Sequence, residues 1–198
     1  MPAPPPALPP QHGRIWWNAG VGAGRSGPAQ SGGGDQYDGI SGDLAAGAVL
    51  TSRGLVGLDA AVWHRNTPIG SSQSTFVSVT FLGYPFLSFL DKLYLQGGLG
   101  VGIASFPTVV TTRTPSRLHI TEPALQIGLG YDIPVACPLW ITPFFQYLNT
   151  FGGHSIPQAS SKQLGSANAV LLHAGLALKF FRAGPPGACT RRPEISIR

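Results

Sequence analysis

Charge is what this sequence has least of: only 11% of its 198 residues are Asp, Glu, Lys or Arg. A soluble domain normally carries about 25%, so this chain cannot cover a water-facing surface in the usual way. Basic residues outnumber acidic ones, 13 to 8, and give a formal charge of +5. Those cations are scattered and form no dense phosphate-tracking stripe, which excludes a nucleic-acid partner. Cysteine is nearly absent as well, with Cys137 and Cys189 the two present. Two thiols fix no redox compartment, and whether this pair is bridged or free stays open.

Long apolar runs without helix breakers are also missing. The uncharged stretches Leu93–Thr112 and Ile133–Ser161 are long enough for a transmembrane helix. The first contains Gly97, Gly98, Gly100, Gly102 and Pro107; the second contains Pro134, Pro138, Pro143 and Pro157. Helix propensity in both is poor, which excludes a helical span. What is abundant is apolar residues, 43%, and glycine, 27 of them, with a mean hydropathy of +0.14. That content is too high for a disordered chain. It describes a fold whose exterior need not be charged, and a membrane provides that setting.

Three regions follow from composition. Residues 1–13 form a Pro-rich leader, with six prolines in Met1–Pro10 and neither the basic start nor the continuous apolar core of a secretory signal. Residues 14–181 have the apolar content of one folded unit, and residues 182–198 form a tail with Pro and Arg.

Within the folded unit the period is two. In Leu93–Ala104, Leu93, Leu95, Gly97, Leu99, Val101 and Ile103 alternate with Tyr94, Gln96, Gly98, Gly100, Gly102 and Ala104. Successive side chains of a strand point to opposite faces, so one face is large and apolar and the other small or polar. The same alternation runs through Ile15–Gly24, Leu55–Arg65, Ala124–Ile133 and Val170–Phe180. Gly42–Thr51, Thr75–Tyr84 and Trp140–Thr150 are less regular but complete a set of eight. A soluble sandwich or carrier barrel puts large apolar residues inside and charges outside. Here the polar face holds Gly, Ala, Gln, Asp, His and Lys, too small or polar for an apolar core, so the large face must meet lipid. The predicted fold class is all-β, an eight-stranded antiparallel up-and-down transmembrane β-barrel.

The predicted connections alternate in length. Arg25–Ser41, Asn66–Ser74, Pro107–Thr121 and Phe151–Ala167 are long and polar, whereas Ser52–Gly54, Pro85–Lys92 and Pro134–Leu139 are shorter. Extracellular loops and periplasmic turns of a bacterial outer-membrane barrel differ in this way, which makes both termini periplasmic. Cys137 and Cys189 then fall at the same end. Aromatics near the strand ends are expected to form two lipid-interface girdles. Trp16, Trp17, Tyr84, Phe86, Tyr94, Tyr131, Trp140, Phe180 and Phe181 belong to the periplasmic one, and Trp63, Phe76, Phe106, Tyr147 and Phe151 to the outer one.

The segments WWNAGVGAG (16–24), LYLQGGLGVGIASF (93–106), ALQIGLGYDIP (124–134), ITPFFQYLNTFGG (141–153) and the strand ending ALKFF (177–181) resemble the OmpA-type small outer-membrane β-barrel family. The resemblance covers about 170 residues and rests on pattern, not on a catalytic signature. It implies outer-membrane lipids and lipopolysaccharide as surroundings. It also implies the barrel-assembly machinery as a partner in biogenesis, read through the terminal aromatic Phe181. No peptidoglycan-binding domain fits in the tail.

No chemical signature rises above this background. Gly22–Gly27 matches GxGxxG, but the following GPAQSGGG cannot open a helix, so a dinucleotide site fails its context. The five histidines lack ligand spacing, and no metal or cofactor is expected. His154 beside Ser155 invites comparison with lipid-A deacylases, which are also small barrels. No acidic residue lies between Ile133 and Leu178 to orient such a base. The inward residues Asp59, Asp132, His173 and Lys179, with Asp43, Arg65 and Glu122 nearer the rim, are expected to form an interior polar network, because buried charge must be paired. Arg25, Arg65, Arg113, Arg117 and Lys162 face the lipopolysaccharide phosphates. The sequence thus predicts a monomeric barrel with a structural or surface-interaction role, a closed or nearly closed bore and no reaction of its own. The rival readings are a barrel enzyme acting on lipid A or acyl chains and a soluble lipocalin-like carrier of an apolar ligand.

Overall fold

In the computed structural model the described residues are 15–30, 36–51, 53–67, 70–85, 90–109, 115–136, 138–152, 154–157 and 164–181. The leader, the whole tail 182–198, Phe86, Cys137 and Cys189 lie outside them, and so does any bridge between the two thiols. The elements are β1 (Ile15–Gln30), β2 (Tyr37–Thr51), β3 (Gly54–Thr67), β4 (Gly70–Gly83), β5 (Leu93–Val109), β6 (Pro115–Tyr131), β7 (Ile133–Ala136), β8 (Leu139–Thr150), β9 (His154–Pro157) and β10 (Leu164–Phe181). Eight long strands close into an antiparallel barrel in the order β1-β2-β3-β4-β5-β6-β8-β10, with β10 pairing back onto β1. The short β7 and β9 extend the wall at opposite ends, β7 on β8 and β9 on β10.

All eight predicted strands are present, and the structure lengthens them. Residues 25–30 and 37–41, expected in a loop, continue β1 and β2, which pair with each other out to Ser26 and Tyr37 while residues 27–30 run on against β10; β5 and β6 pair out to Val109 and Pro115. Polar residues do not stop a strand whose backbone groups stay paired; they only end its contact with lipid. The expected loop Asn66–Ser74 shrinks to a tight connection between Thr67 and Gly70. Gly70 has φ +137°, which an L side chain rarely adopts.

Pro143 lies inside β8, opposite Leu176, where a missing N–H would ordinarily be costly. On its other side the β6 ladder stops at Gly130↔Phe144 and the β7 ladder starts at Ile133↔Ile141. The proline therefore sits where the partner strand breaks, beside Asp132, which the alternation of β6 already turns into the bore. The β6–β8 ladder is also the shortest of the wall, running only from Ala124↔Thr150 to Gly130↔Phe144. Above it Phe151 N donates to Pro123 O at 2.8 Å.

The alternation resolves as predicted. Outward side chains are large and apolar, Leu99 being 68% exposed, with Val21, Leu44, Leu58, Val79, Ile127 and Leu176 like it. Leu95, Leu99, Val101 and Ile103 all lie outside. A carrier with an apolar pocket requires them inside, so that rival is overturned. The outward apolar band ends upward at Arg25, Asp38, His64 and Gln73, all exposed. It spans about ten residues per strand, the length a tilted transmembrane strand needs.

Candidate functional site: the filled bore

The bore is built in three layers. Its lower end carries Ile15, Phe181 and the β2–β3 turn; its upper end carries the β1–β2 and β5–β6 hairpins. The upper layer is apolar and packs Trp63, Phe76, Phe106, Leu148 and Leu171 with Ala61 and Ala104. Trp63 is 0% exposed and donates from Nε1 to Gly24 O at 2.9 Å. A Cβ on Gly39 would stand 2.6 Å from the Trp63 ring, so the neighbouring strand leaves this indole its space. Above the layer the Ser26 and Ser74 hydroxyls meet at 2.9 Å.

The middle layer is polar. Gln96 and Gln126 both donate to Asp59 Oδ2, at 2.6 and 2.7 Å. Gln126 also donates to Gln146 Oε1 at 3.0 Å, and Gln146 to Gln96 Oε1 at 3.3 Å. Ser78 donates to Gln126 Oε1, and His173 Nε2 lies 2.8 Å from Gln146 Oε1. Asn18 donates to Asp43 Oδ2 at 3.1 Å. Amides on four strands thus tie the wall together across the bore, where each bond is stronger than in water.

The lower layer packs Trp16, Leu55, Leu82, Tyr84 and Tyr94, with Val49 and Phe181 against them. Inside it stands Lys179, fully buried. Its Nζ donates to Asp132 Oδ2 at 2.9 Å, to Asp132 Oδ1 at 3.1 Å and to Tyr84 Oη at 3.0 Å. Tyr84 and Thr142 also donate to Asp132, at 2.5 and 2.7 Å, so both carboxylate oxygens are satisfied. Nζ lies 4.2 Å from the Tyr94 ring centre, 5.6 Å from that of Tyr84 and 5.9 Å from those of Trp16 and Phe181. Four rings around one cation replace part of its lost hydration.

Asp59, Asp132, His173 and Lys179 are therefore inside and hydrogen-bonded. Asp43 is inside too, but it sits at mid-depth opposite Gly20 and Ala61, not near a rim. Glu122 is buried at the upper end beneath Gly152. Among the described residues Arg65 is not part of that network: at the upper mouth its guanidinium lies 4.8 Å from the Tyr37 ring.

The girdle assignment needs a larger correction. Trp16, Trp63, Phe76, Tyr84, Tyr94 and Phe106 are not at the lipid interface; all six are buried in the bore. Each stands on the inward parity of its strand or of that strand's continuation, and parity decides the side whatever the ring prefers. Phe181 also packs against the lower layer, edge-on to Trp140 at 6.1 Å. Trp17 does face outward, 43% exposed, and stacks on Phe180 at 4.2 Å. Tyr131 and Tyr147 are half-buried on the outward parity. Gln126, Gln146 and Thr142, not expected as site residues, and Tyr84, expected at the lipid interface, carry much of the network. Gln126 was legible as an inward position, whereas Tyr84 meets Lys179 only across the bore.

At the upper boundary of the apolar band Arg25 holds Asp38 with a fork, 2.8 and 3.2 Å, across a registered β1–β2 pair. The hydrogen bonds from that guanidinium hold the Asp38 carboxyl below the ordinary carboxylate range. A like charge set in mid-band is another matter. Leu99→Arg should cost about 2–4 kcal/mol of barrel stability, read by urea unfolding in lipid vesicles. A cost near zero would mean that this face does not meet lipid.

An apolar exterior, a closed ring of eight strands and a filled polar bore define the class: this is a small transmembrane β-barrel of the outer-membrane type. Comparison with solved structures agrees. The chain is similar to Ail, the attachment invasion locus protein of Yersinia pestis, with a TM-score of 0.57 and 14% identity over 86% of this chain and all of that one. It is also similar to Neisserial surface protein A, with a TM-score of 0.53 and 12% identity over 84% of this chain and 97% of that one. At such identity the likeness is one of fold, and at that level the OmpA-type resemblance holds. No protein-family model and no curated protein sequence matches the chain.

Proposed function

We propose that this protein is a monomeric, non-enzymatic barrel of the bacterial outer membrane, with a closed bore, that supports the envelope and presents its upper hairpins as a surface. The two apolar layers carry the reading. Trp63, Phe76 and Phe106 fill the upper bore and Trp16, Tyr84 and Tyr94 the lower one, so the amide belt between them has no open route to either mouth. The inward carboxylates Asp59 and Asp132 are committed to amides, hydroxyls and Lys179, which favours structure over chemistry.

The long hairpins at one end and the short turns at the other favour termini on the periplasmic side. Arg25, at the upper edge of the lipid-facing band, favours contact with lipopolysaccharide phosphates, where a guanidinium makes charge-assisted bonds. The barrel-assembly machinery is the proposed partner in biogenesis, on the strength of the aromatic end of β10.

Conductance tests the closed bore. The full chain reconstituted in planar bilayers at molar salt should give no resolved current steps. Regular steps from the unaltered chain would overturn the reading.

A further inference from the structure

We propose that Lys179, clasped by Asp132 and the rings of the lower layer, is a register lock that selects how β10 closes on β1. This goes beyond the proposed function and stands or falls separately from it, since a closed or an open bore needs a fixed register alike.

The closing seam has little to read along its middle. Gly20 faces Ala177, Gly22 faces Gly175, Ala23 faces Ala174 and Gly24 faces His173, with Val21 opposite Leu176 the one pair of large side chains among them. Cross-strand side-chain pairs are what make one register better than another, and Gly-rich strands specify it weakly. A slip of one residue would turn the apolar face inward and is excluded by the alternation. A slip of two keeps every side chain on its proper face, moves the strands by about 6.7 Å and is not excluded by patterning.

Lys179 distinguishes these states. It lies next to the end of the seam, where Trp17 also stacks on Phe180 across a registered pair. Counted round the ring, β10 and β4 are opposite each other, yet Lys179 Nζ bonds Tyr84, just past the end of β4, at 3.0 Å. Changing the stagger of the closing seam changes strand tilt and radius together. The opposite walls then shift relative to each other, and Trp16 on β1 moves off the cation. Asp132 lies on the same side of the seam as Lys179 and stays with it. The slipped cation therefore remains buried without its ring on β1 and with its bond to Tyr84 across the bore disturbed, an arrangement that the native register avoids.

Cysteine cross-linking reads the register directly. In the full chain with Cys137 and Cys189 changed to Ser, Ala23→Cys is combined with Ala174→Cys for the native register, or with Leu172→Cys or Leu176→Cys for the slipped ones. All these positions are on the outward parity, away from the clasp. Oxidation of the refolded chain should bridge the native pair and leave the slipped pairs nearly unbridged. In K179M/D132N, which removes the lock without stranding a charge, bridging of a slipped pair should rise at least about threefold. K179M alone should do the same and lose folded yield besides. Native-only bridging in the double variant would overturn the lock. A double variant that never closes would overturn it equally, since a lock selects among registers and is not needed for closure itself.

Discussion

Asp132→Ala should destabilise the folded barrel by about 3–5 kcal/mol, the penalty for removing one partner of a buried ion pair. Lys179 would keep Tyr84 and its aromatic neighbours but lose the carboxylate that takes two of its hydrogen bonds. Tyr84 and Thr142 would lose their acceptor in the same step. Removing both charges is a different matter, because no buried charge is then left without its partner. A double-mutant cycle with D132A, K179M and D132A/K179M should therefore show strong coupling, the double variant being more stable than D132A alone. Urea titration in lipid vesicles, followed by tryptophan fluorescence, gives the numbers. A loss below about 1 kcal/mol for D132A, the range of exposed pairs, would show that the pair is hydrated.

Trp63→Ala should cost a comparable 3–5 kcal/mol, about what deleting a fully buried indole costs elsewhere. The upper layer would lose its largest member, and Gly24 O would lose its donor. The informative control is Trp17→Ala. Trp17 faces lipid and gives up only its stack on Phe180, a contact worth about 0.5–1.5 kcal/mol beyond area. Equal losses at the two tryptophans would contradict the inside-outside assignment. Because the lower layer stays intact in Trp63→Ala, no current steps are expected from that variant.

That contrast shows where the sequence is sufficient and where it misleads. The eight strands and their faces were legible because alternation is a local property: Leu99 faces lipid and Gly98 does not for reasons visible within three residues. The girdle rule is statistical, and it was allowed to override parity at Trp16, Trp63 and Tyr94. The alternation of β1, β3 and β5 already placed those rings inward. Lys179, Asp132 and His173 were legible as inward polar residues for the same reason. Their partners were not, because a contact across a bore depends on strand tilt and closure, which no single segment encodes. Tyr84 and Lys179 are 95 residues apart. The hairpin lengths were missed for another physical reason. Polar residues in Arg25–Ser41 and Pro107–Thr121 signal the end of lipid contact, and the ladders continue past that point into water.

A ring of eight seams has no free edge, yet it is only as strong as its weakest link. The shortest ladder in that ring is the β6–β8 joint, which spans Ala124–Gly130 and is taken up past the break by β7, while its neighbour β5–β6 runs from Leu93 to Val109. Pro143 cannot donate there, and the partner strand is interrupted beside it. Any stress spread evenly round the wall, whether from bilayer thinning, detergent or heat, concentrates where the fewest backbone bonds share it. The same circle that hides every edge therefore also fixes in advance the place where an edge would first appear.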